Sequence, residues 1–167
     1  MTIGEFWKQQ EFSYLVTYSF NRGPKLEEEI RRMKVELAAA RFMRRPELQR
    51  RLYSLEHFSG KLTEGLLDLH LTATIIAEMA KTSAVTQQLA AICTASTKQD
   101  CYAGCLPVYR DALAFYSEER KLLSVFNICF ECYYIATDAG VHIEADNSTY
   151  QRLRDFLVQL GHPIESH

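Results

Sequence analysis

Residues 12–20, Phe-Ser-Tyr-Leu-Val-Thr-Tyr-Ser-Phe, decide between two fold classes. Apolar side chains occupy every even position of this stretch, and three of the four odd positions between them are Ser or Thr, which is the two-residue period of a strand. A strand needs a neighbour to hydrogen-bond with, however, and elsewhere the sequence offers only the short strand-like stretch Val141–Ile143. We therefore predict that residues 12–20 form a helix.

The other apolar side chains recur with the three- and four-residue spacing of helices. Thr2 and Glu5 have the spacing of a capping box, and Gly161 with Pro163 is a typical helix end. Helices are predicted to begin at Ile3 and to follow at about residues 25–37, 46–58, 61–81, 85–92, 97–105, 107–138 and 148–160. Residues 61–81 are apolar on two opposite sides, which indicates a central helix. The predicted fold is all-α: a single domain, residues 1–167, in one compact bundle of six to eight helices.

The composition is that of an ordinary globular protein. Of the 167 residues, 47% are hydrophobic and 24% are charged, and this length can bury a core without disulfides or metals. The sequence contains no secretory signal and no apolar run of the roughly 18 residues that a membrane-spanning helix needs. We expect a cytoplasmic protein that does not enter a membrane.

Charge is distributed unevenly along the chain. Residues 22–51 hold ten Lys or Arg against five Asp or Glu, whereas residues 52–167 hold eight against fourteen. A surface for an acidic partner is therefore predicted at the basic residues of this segment, namely Arg31, Lys34, Arg41, Arg44, Arg45, Arg50 and Arg51. The alternative is a solvated face that the acidic remainder of the chain neutralises. Arg44 stands where the apolar stripe of the helix would continue, so that helix end must leave the core or meet carboxylates.

Five cysteines in a chain without a secretory signal argue against a disulfide framework. We expect reduced thiols that are buried as small apolar groups. The alternative is a metal site, because two closely spaced pairs could face each other from two helices and close a tetrahedral set of thiolates. Its ligands would be Cys101, Cys105, Cys129 and Cys132.

The sequence lacks the phosphate-binding, dinucleotide-binding, zinc-protease and serine-hydrolase motifs, and no cofactor is expected. It leaves catalysis open but favours a non-enzymatic protein. The preferred function is a protein–protein interaction module, such as a small inhibitor, adaptor or immunity-type protein, that docks by charge complementarity. A second copy of the chain is an alternative partner. The competing hypotheses are a metal or small ligand held by the cysteines or by an aromatic pocket, and nucleic acid bound by residues 31–51.

Overall fold

The computed structural model describes residues 1–57, 60–64, 68–95 and 104–165, with the backbone alone at residues 64 and 68. Within these ranges the chain forms five α-helices, one short 3-10 helix and eight strands. The helices are α1 (Ile3–Gln9), α2 (Gly23–Ala39), the 3-10 helix (Phe42–Arg44), α3 (Arg45–His57), α4 (Ala84–Thr94) and α5 (Asn147–Gln159). The strands are β1 (Tyr14–Ser19), β2 (Thr63–Glu64), β3 (Asp68–Leu69), β4 (Thr74–Ala80), β5 (Asp111–Tyr116), β6 (Leu122–Cys129), β7 (Tyr134–Thr137) and β8 (His142–Ile143).

The predicted all-α bundle is wrong, because six of the strands form one antiparallel sheet in the order β4-β1-β5-β6-β7-β8. The alternation in residues 12–20 indicated the correct structure. The partners of β1 are β4 and β5, which lie in the segments 61–81 and 107–138 that were predicted to be helical. Strand β5 is buried on both faces, so its sequence after Asp111 is continuously apolar or aromatic and lacks the period that identifies a half-buried strand.

The predicted helices at both ends of the chain are confirmed. Thr2 and Glu5 form the capping box of α1, in which each side chain accepts a hydrogen bond from the other residue's backbone N–H. At the start of α5 the cap is Asp146, whose side chain accepts a hydrogen bond from the Thr149 amide. The helices predicted around residues 25–37, 46–58 and 85–92 are also present as α2, α3 and α4. The helix predicted at residues 97–105 falls mostly outside the described residues.

Three helices cover one face of the sheet. Leu15, Leu113 and Phe126 point to this side and are fully buried against apolar side chains of α1, α4 and α5. On the opposite face, Val16, Ala114 and neighbouring small or aromatic side chains pack beneath the loop residues Leu62 and Tyr109. The first residues of the chain lie against the last strand, where Thr2 bridges to Glu144.

Helices α2 and α3 form an antiparallel helical hairpin, inserted between β1 and the β2–β3 pair, with its own small apolar interior. The two predicted apolar stripes face each other there, and Met33 and Leu48 are each only 2% exposed. Asn21 lies at the base of the hairpin. Its backbone is in the left-handed conformation, with φ 54°, which Asn adopts more readily than most residues. Its side-chain amide donates to the carbonyl oxygens of Gly60 and Tyr109, each at 2.9 Å.

In the part of the chain that the structure describes, no helix has both the length and the apolar character needed to cross a bilayer.

Replacing Leu15 by Ala tests the buried strand β1. We expect the free energy of unfolding to fall by about 2–5 kcal/mol, because the side chain is fully buried between the sheet and the helices and its loss leaves a cavity. Urea denaturation measures this change. The control is Leu123→Ala on β6, where the side chain is 44% exposed and the loss should stay below about 1 kcal/mol. Equal losses in the two variants would contradict the assignment of β1 to the core.

Candidate functional site

All seven basic residues that were predicted to bind a partner lie on the helical hairpin and are exposed. Arg31 and Lys34 belong to α2, Arg41 and Arg44 to the connection between the helices, and Arg45, Arg50 and Arg51 to α3. The chain leaves the helical conformation at Ala40, so Arg44 does not continue the apolar stripe of α2. It lies at the tip of the hairpin instead, exposed to solvent, and pairs with Glu36 at 3.3 Å.

Internal carboxylates neutralise three of the seven cations. Arg31 pairs with Glu28, Lys34 with Glu56 at 2.8 Å, and Arg44 with Glu36. Among the described residues, no carboxylate lies within ion-pair distance of the other four, which are Arg41, Arg45, Arg50 and Arg51. The hairpin therefore neutralises part of its own charge, and the unpaired cations lie at its tip and along α3.

The feature that sequence reasoning missed is the apolar pair at this tip. Phe42 and Met43 are 85% and 86% exposed, and the arginines Arg41, Arg44 and Arg45 flank them in sequence. A signal was present in the sequence, because these two residues fall between the end of one apolar stripe and the start of the next. We call residues Arg41–Arg45 the basic tip.

Two of the described cysteines are buried, reduced thiols as predicted, and two are not. Cys105 and Cys132 are joined by a disulfide, so neither has a thiolate to offer a metal, and Cys101 lies outside the described residues. Cys93 and Cys129 are free and buried, and burial raises the pKa of both thiols. Within the described ranges, no group of three or more His, Cys, Asp or Glu side chains is placed to hold a metal ion.

The tyrosines form a hydrogen-bonded cluster at one end of the sheet. The Tyr18 and Tyr116 hydroxyls are 2.9 Å apart, and the Tyr14 ring stacks on the Tyr116 ring at 5.2 Å. Burial raises the pKa of Tyr18 and Tyr116, so both stay protonated at neutral pH. Tyr109 is buried elsewhere on the same face, and burial raises its pKa to about 12. These tyrosines either hydrogen-bond through their hydroxyls, stack on one another or pack in the core. Tyr102 lies outside the described residues.

A buried polar network joins three distant parts of the chain. His162, just after α5, contacts the Asp111 carboxylate through Nδ1 at 2.6 Å and the Thr17 hydroxyl through Nε2 at 2.9 Å. The tautomer that carries its proton on Nδ1 satisfies both bonds, since Nδ1–H donates to Asp111 and Nε2 accepts from Thr17. Arg22 donates to the same carboxylate, and its Nε donates to Ser19 Oγ at 3.0 Å.

The order hydroxyl, imidazole, carboxylate is also that of a nucleophilic triad. Thr17, however, is 0% exposed and the His162 side chain is 0% exposed, so a substrate cannot reach the hydroxyl. Sequence reasoning missed this network, because Thr17 and His162 are 145 positions apart in the chain. In this structure the network fastens the segment after α5 to β1 and β5.

Comparison of the chain with protein-family models, with curated proteins and with solved structures gives no significant match in any of the three.

Replacing Thr17 by Val removes the hydroxyl and keeps the shape of the side chain. We expect the free energy of unfolding to fall by about 1–3 kcal/mol, because His162 Nε2 is then left buried without a partner. Thermal and urea unfolding measure the loss, and Thr82→Val, at an exposed position, is the matched control. An unchanged stability would show that the network does not hold the segment after α5.

The cysteine arrangement is tested by oxidising the purified, reduced protein in a glutathione buffer and mapping its disulfides by mass spectrometry. We expect the Cys105–Cys132 bond to form. Cys93 and Cys129 should resist iodoacetamide in the folded protein, because they are buried and their raised pKa disfavours the reactive thiolate. A Cys129–Cys132 bond as the main product would contradict this arrangement. Cys105→Ser is the control, which should lose the bond and leave Cys93 unlabelled.

Proposed function

We propose that this protein is a non-enzymatic interaction module whose basic tip docks on another protein, at an acidic surface that surrounds an apolar pocket. The observation that carries the proposal is the exposure of Phe42 and Met43, each above four fifths, between arginines. Aromatic residues, Met and Arg are the residue types enriched where protein interfaces are buried. The proposed role is that of a small inhibitor, an adaptor or an immunity-type protein.

The apolar pair supplies the affinity. Transfer of one such side chain from water into an apolar pocket contributes about 1.5–3 kcal/mol, and 1.4 kcal/mol corresponds to tenfold in the dissociation constant. Phe42 and Met43 are adjacent in the 3-10 helix and project from the end of the hairpin rather than into its interior. A pocket that accepts both side chains would therefore gain a large part of the binding energy from two residues.

The arginines determine the specificity for the partner. Arg41 and Arg45 have no carboxylate within ion-pair distance among the described residues, so their charge is available to an acidic surface. The remainder of the chain, residues 52–167, carries a net charge of −6 and repels the same surface. Attraction at the tip and repulsion elsewhere orient the partner during encounter, which raises the association rate and makes it dependent on salt.

The hairpin holds the tip in place before binding. Its helices pack on each other through Met33 and Leu48, and Lys25 near its base donates to the Ala73 carbonyl at 2.7 Å. A preformed surface loses less conformational entropy on association than a disordered segment does.

We place this interaction in the cytoplasm. The bond between Cys105 and Cys132 that this structure contains is expected to be reduced there.

Comparative capture from the protein's own host tests the proposal. The baits are the wild type, Arg44→Glu with Arg45→Glu, Phe42→Ser, and the control Lys8→Glu with Lys121→Glu, which reverses two exposed cations outside the hairpin. We expect one protein to be retained in stoichiometric amount by the wild type and the control and lost from the two tip variants. With that protein purified, the tip variants should bind at least about tenfold more weakly, and charge reversal should flatten the dependence on salt.

Native mass spectrometry of each bait, with and without nuclease treatment, separates the other outcomes. A wild-type homodimer that becomes monomeric in the tip variants would identify a second copy as the occupant and overturn the proposal of a different protein. Capture of nucleic acid or lipid by the tip would overturn it as well. Retention of the same protein by all four baits would remove the basic tip from the interface.

A further inference from the structure

The disulfide between Cys105 and Cys132 joins two segments that differ in exposure. Cys105 lies in the loop before β5 and is exposed to solvent, whereas Cys132, in the turn between β6 and β7, is only 4% exposed. A dissolved thiol or disulfide therefore reaches the sulfur of Cys105 far more easily than that of Cys132. Exposed disulfides are the ones that exchange with the glutathione pool, while buried structural disulfides resist reduction.

The surroundings of Cys132 suit a free thiol as well as a disulfide. The Leu106 carbonyl oxygen lies 3.4 Å from its Sγ, so the S–H of the reduced residue has an acceptor in place. The neighbouring Cys129 does not compete for the bond. Its thiol is buried 3.6 Å from the Glu131 carboxylate, and burial raises its pKa, which disfavours the reactive thiolate. The pair that can open and close is therefore Cys105 with Cys132.

The loop that contains Cys105 also holds the base of the helical hairpin. The carbonyl oxygen of Tyr109, four residues after Cys105, accepts a hydrogen bond from the Asn21 side chain at 2.9 Å. The next carbonyl oxygen, that of Arg110, accepts from the Phe20 amide at 2.9 Å. Phe20 and Asn21 lie between β1 and α2. Movement of the loop is thus transmitted to the point where the hairpin joins the sheet.

The disulfide is the stronger of two links between the loop and the turn. The other link is the ion pair of Arg110 with Glu131 at 2.6 Å, whose side chains are 41% and 43% exposed. An ion pair with that exposure contributes little, whereas a disulfide that spans 27 positions of the chain restricts the opened loop strongly. Reduction therefore makes local opening of residues 104–110 easier, and the hydrogen bonds at the base of the hairpin are lost with it.

From this geometry we infer that Cys105 and Cys132 are a reversible thiol switch that reacts with glutathione disulfide and sets how firmly the hairpin is held to the sheet. In oxidation, the Cys105 thiolate attacks one sulfur of glutathione disulfide, forms a mixed disulfide and releases one glutathione thiolate. The Cys132 thiolate then attacks the Cys105 sulfur, closes the protein disulfide and releases the second glutathione.

The reaction balances without a further reactant. Each cysteine loses one proton and each departing glutathione takes one up, so two cysteine sulfurs are oxidised while glutathione disulfide is reduced to two thiols. Reduction by glutathione is the reverse sequence. A change of state requires a compartment in which glutathione is mostly reduced, so the inference rests on the cytoplasmic location proposed above. It does not depend on the partner of the basic tip.

Equilibration of the full chain in glutathione buffers tests the switch. The buffers run from the reducing ratio of the cytoplasm to the oxidising ratio of the secretory pathway, and the thiols are trapped with acid and mapped by mass spectrometry. We expect the Cys105–Cys132 bond to be mostly open at the reducing end and mostly closed at the oxidising end. The same curve should be reached from the reduced and from the oxidised protein. A bond that forms in none of the buffers, or that persists at the reducing end, would overturn the inference.

Hydrogen exchange of the backbone amides measures the effect on the hairpin. The Phe20 amide donates to Arg110, and the Arg110 amide donates to Ile128 on β6. Both amides should exchange at least about tenfold faster in the reduced protein than in the oxidised protein, because the loop opens more often. The Ile3 amide, which donates to Glu144 beside the edge strand β8, should exchange equally in the two states.

Two variants of the same loop separate the disulfide from other effects of the buffer. Cys105→Ser should exchange at the rate of the reduced wild type in both buffers. Leu106→Ser is the matched control, because Leu106 is 82% exposed and the variant keeps both cysteines, so it should switch like the wild type. Equal exchange in the oxidised and reduced wild type would overturn the coupling to the hairpin. So would a difference between the two buffers that persists in Cys105→Ser.

Discussion

The structure depends on strand β1 having a hydrogen-bonded neighbour on both sides. Tyr14–Ser19 pairs with β4 on one edge and with β5 on the other, although β4 and β5 are far from it in sequence. The strand is buried on both faces, by the helix layer on one side and by loops on the other. Because an unpaired strand would bury its polar backbone at a high cost, β1 can form only together with β4 and β5. That condition places β1 between β4 and β5 inside the sheet.

Polar contacts then attach the later parts of the chain to this strand. Thr17 and Asp111 lie on the helix-covered face, and both hydrogen-bond to His162, which fixes the segment after α5 over the sheet. On the other face, the Asn127 side chain accepts from the Leu62 amide at 2.7 Å and holds the loop that covers the second core. Buried polar groups need partners with good geometry, so these bonds select one arrangement of loops over many that would bury the same apolar area.

The same construction leaves the tip of the helical hairpin available for binding. The helical hairpin satisfies its own apolar stripes through Met33 and Leu48, so its tip is free to project Phe42 and Met43 into solvent. A cavity lies beside α5, where His162 holds the segment after the helix to the sheet. The tip suits a macromolecule, because it combines exposed apolar side chains with Arg41 and Arg45, which have no ion-paired carboxylate among the described residues.

The sequence by itself determined the elements whose signals are local. The capping box at Thr2 and Glu5, the apolar stripes of α2 and α3, and the exposure of the seven basic residues followed from spacing, capping and the cost of burying charge. The tertiary structure alone decided the sheet, because β5, which is buried on both faces, carries no distinctive period. The pairing of β1 with β5 also joins residues about one hundred positions apart, such as Tyr14 and Tyr116. The same holds for the contact of His162 with Thr17 and for the cavity beside it. Each of them is formed by residues that only the folded chain brings together.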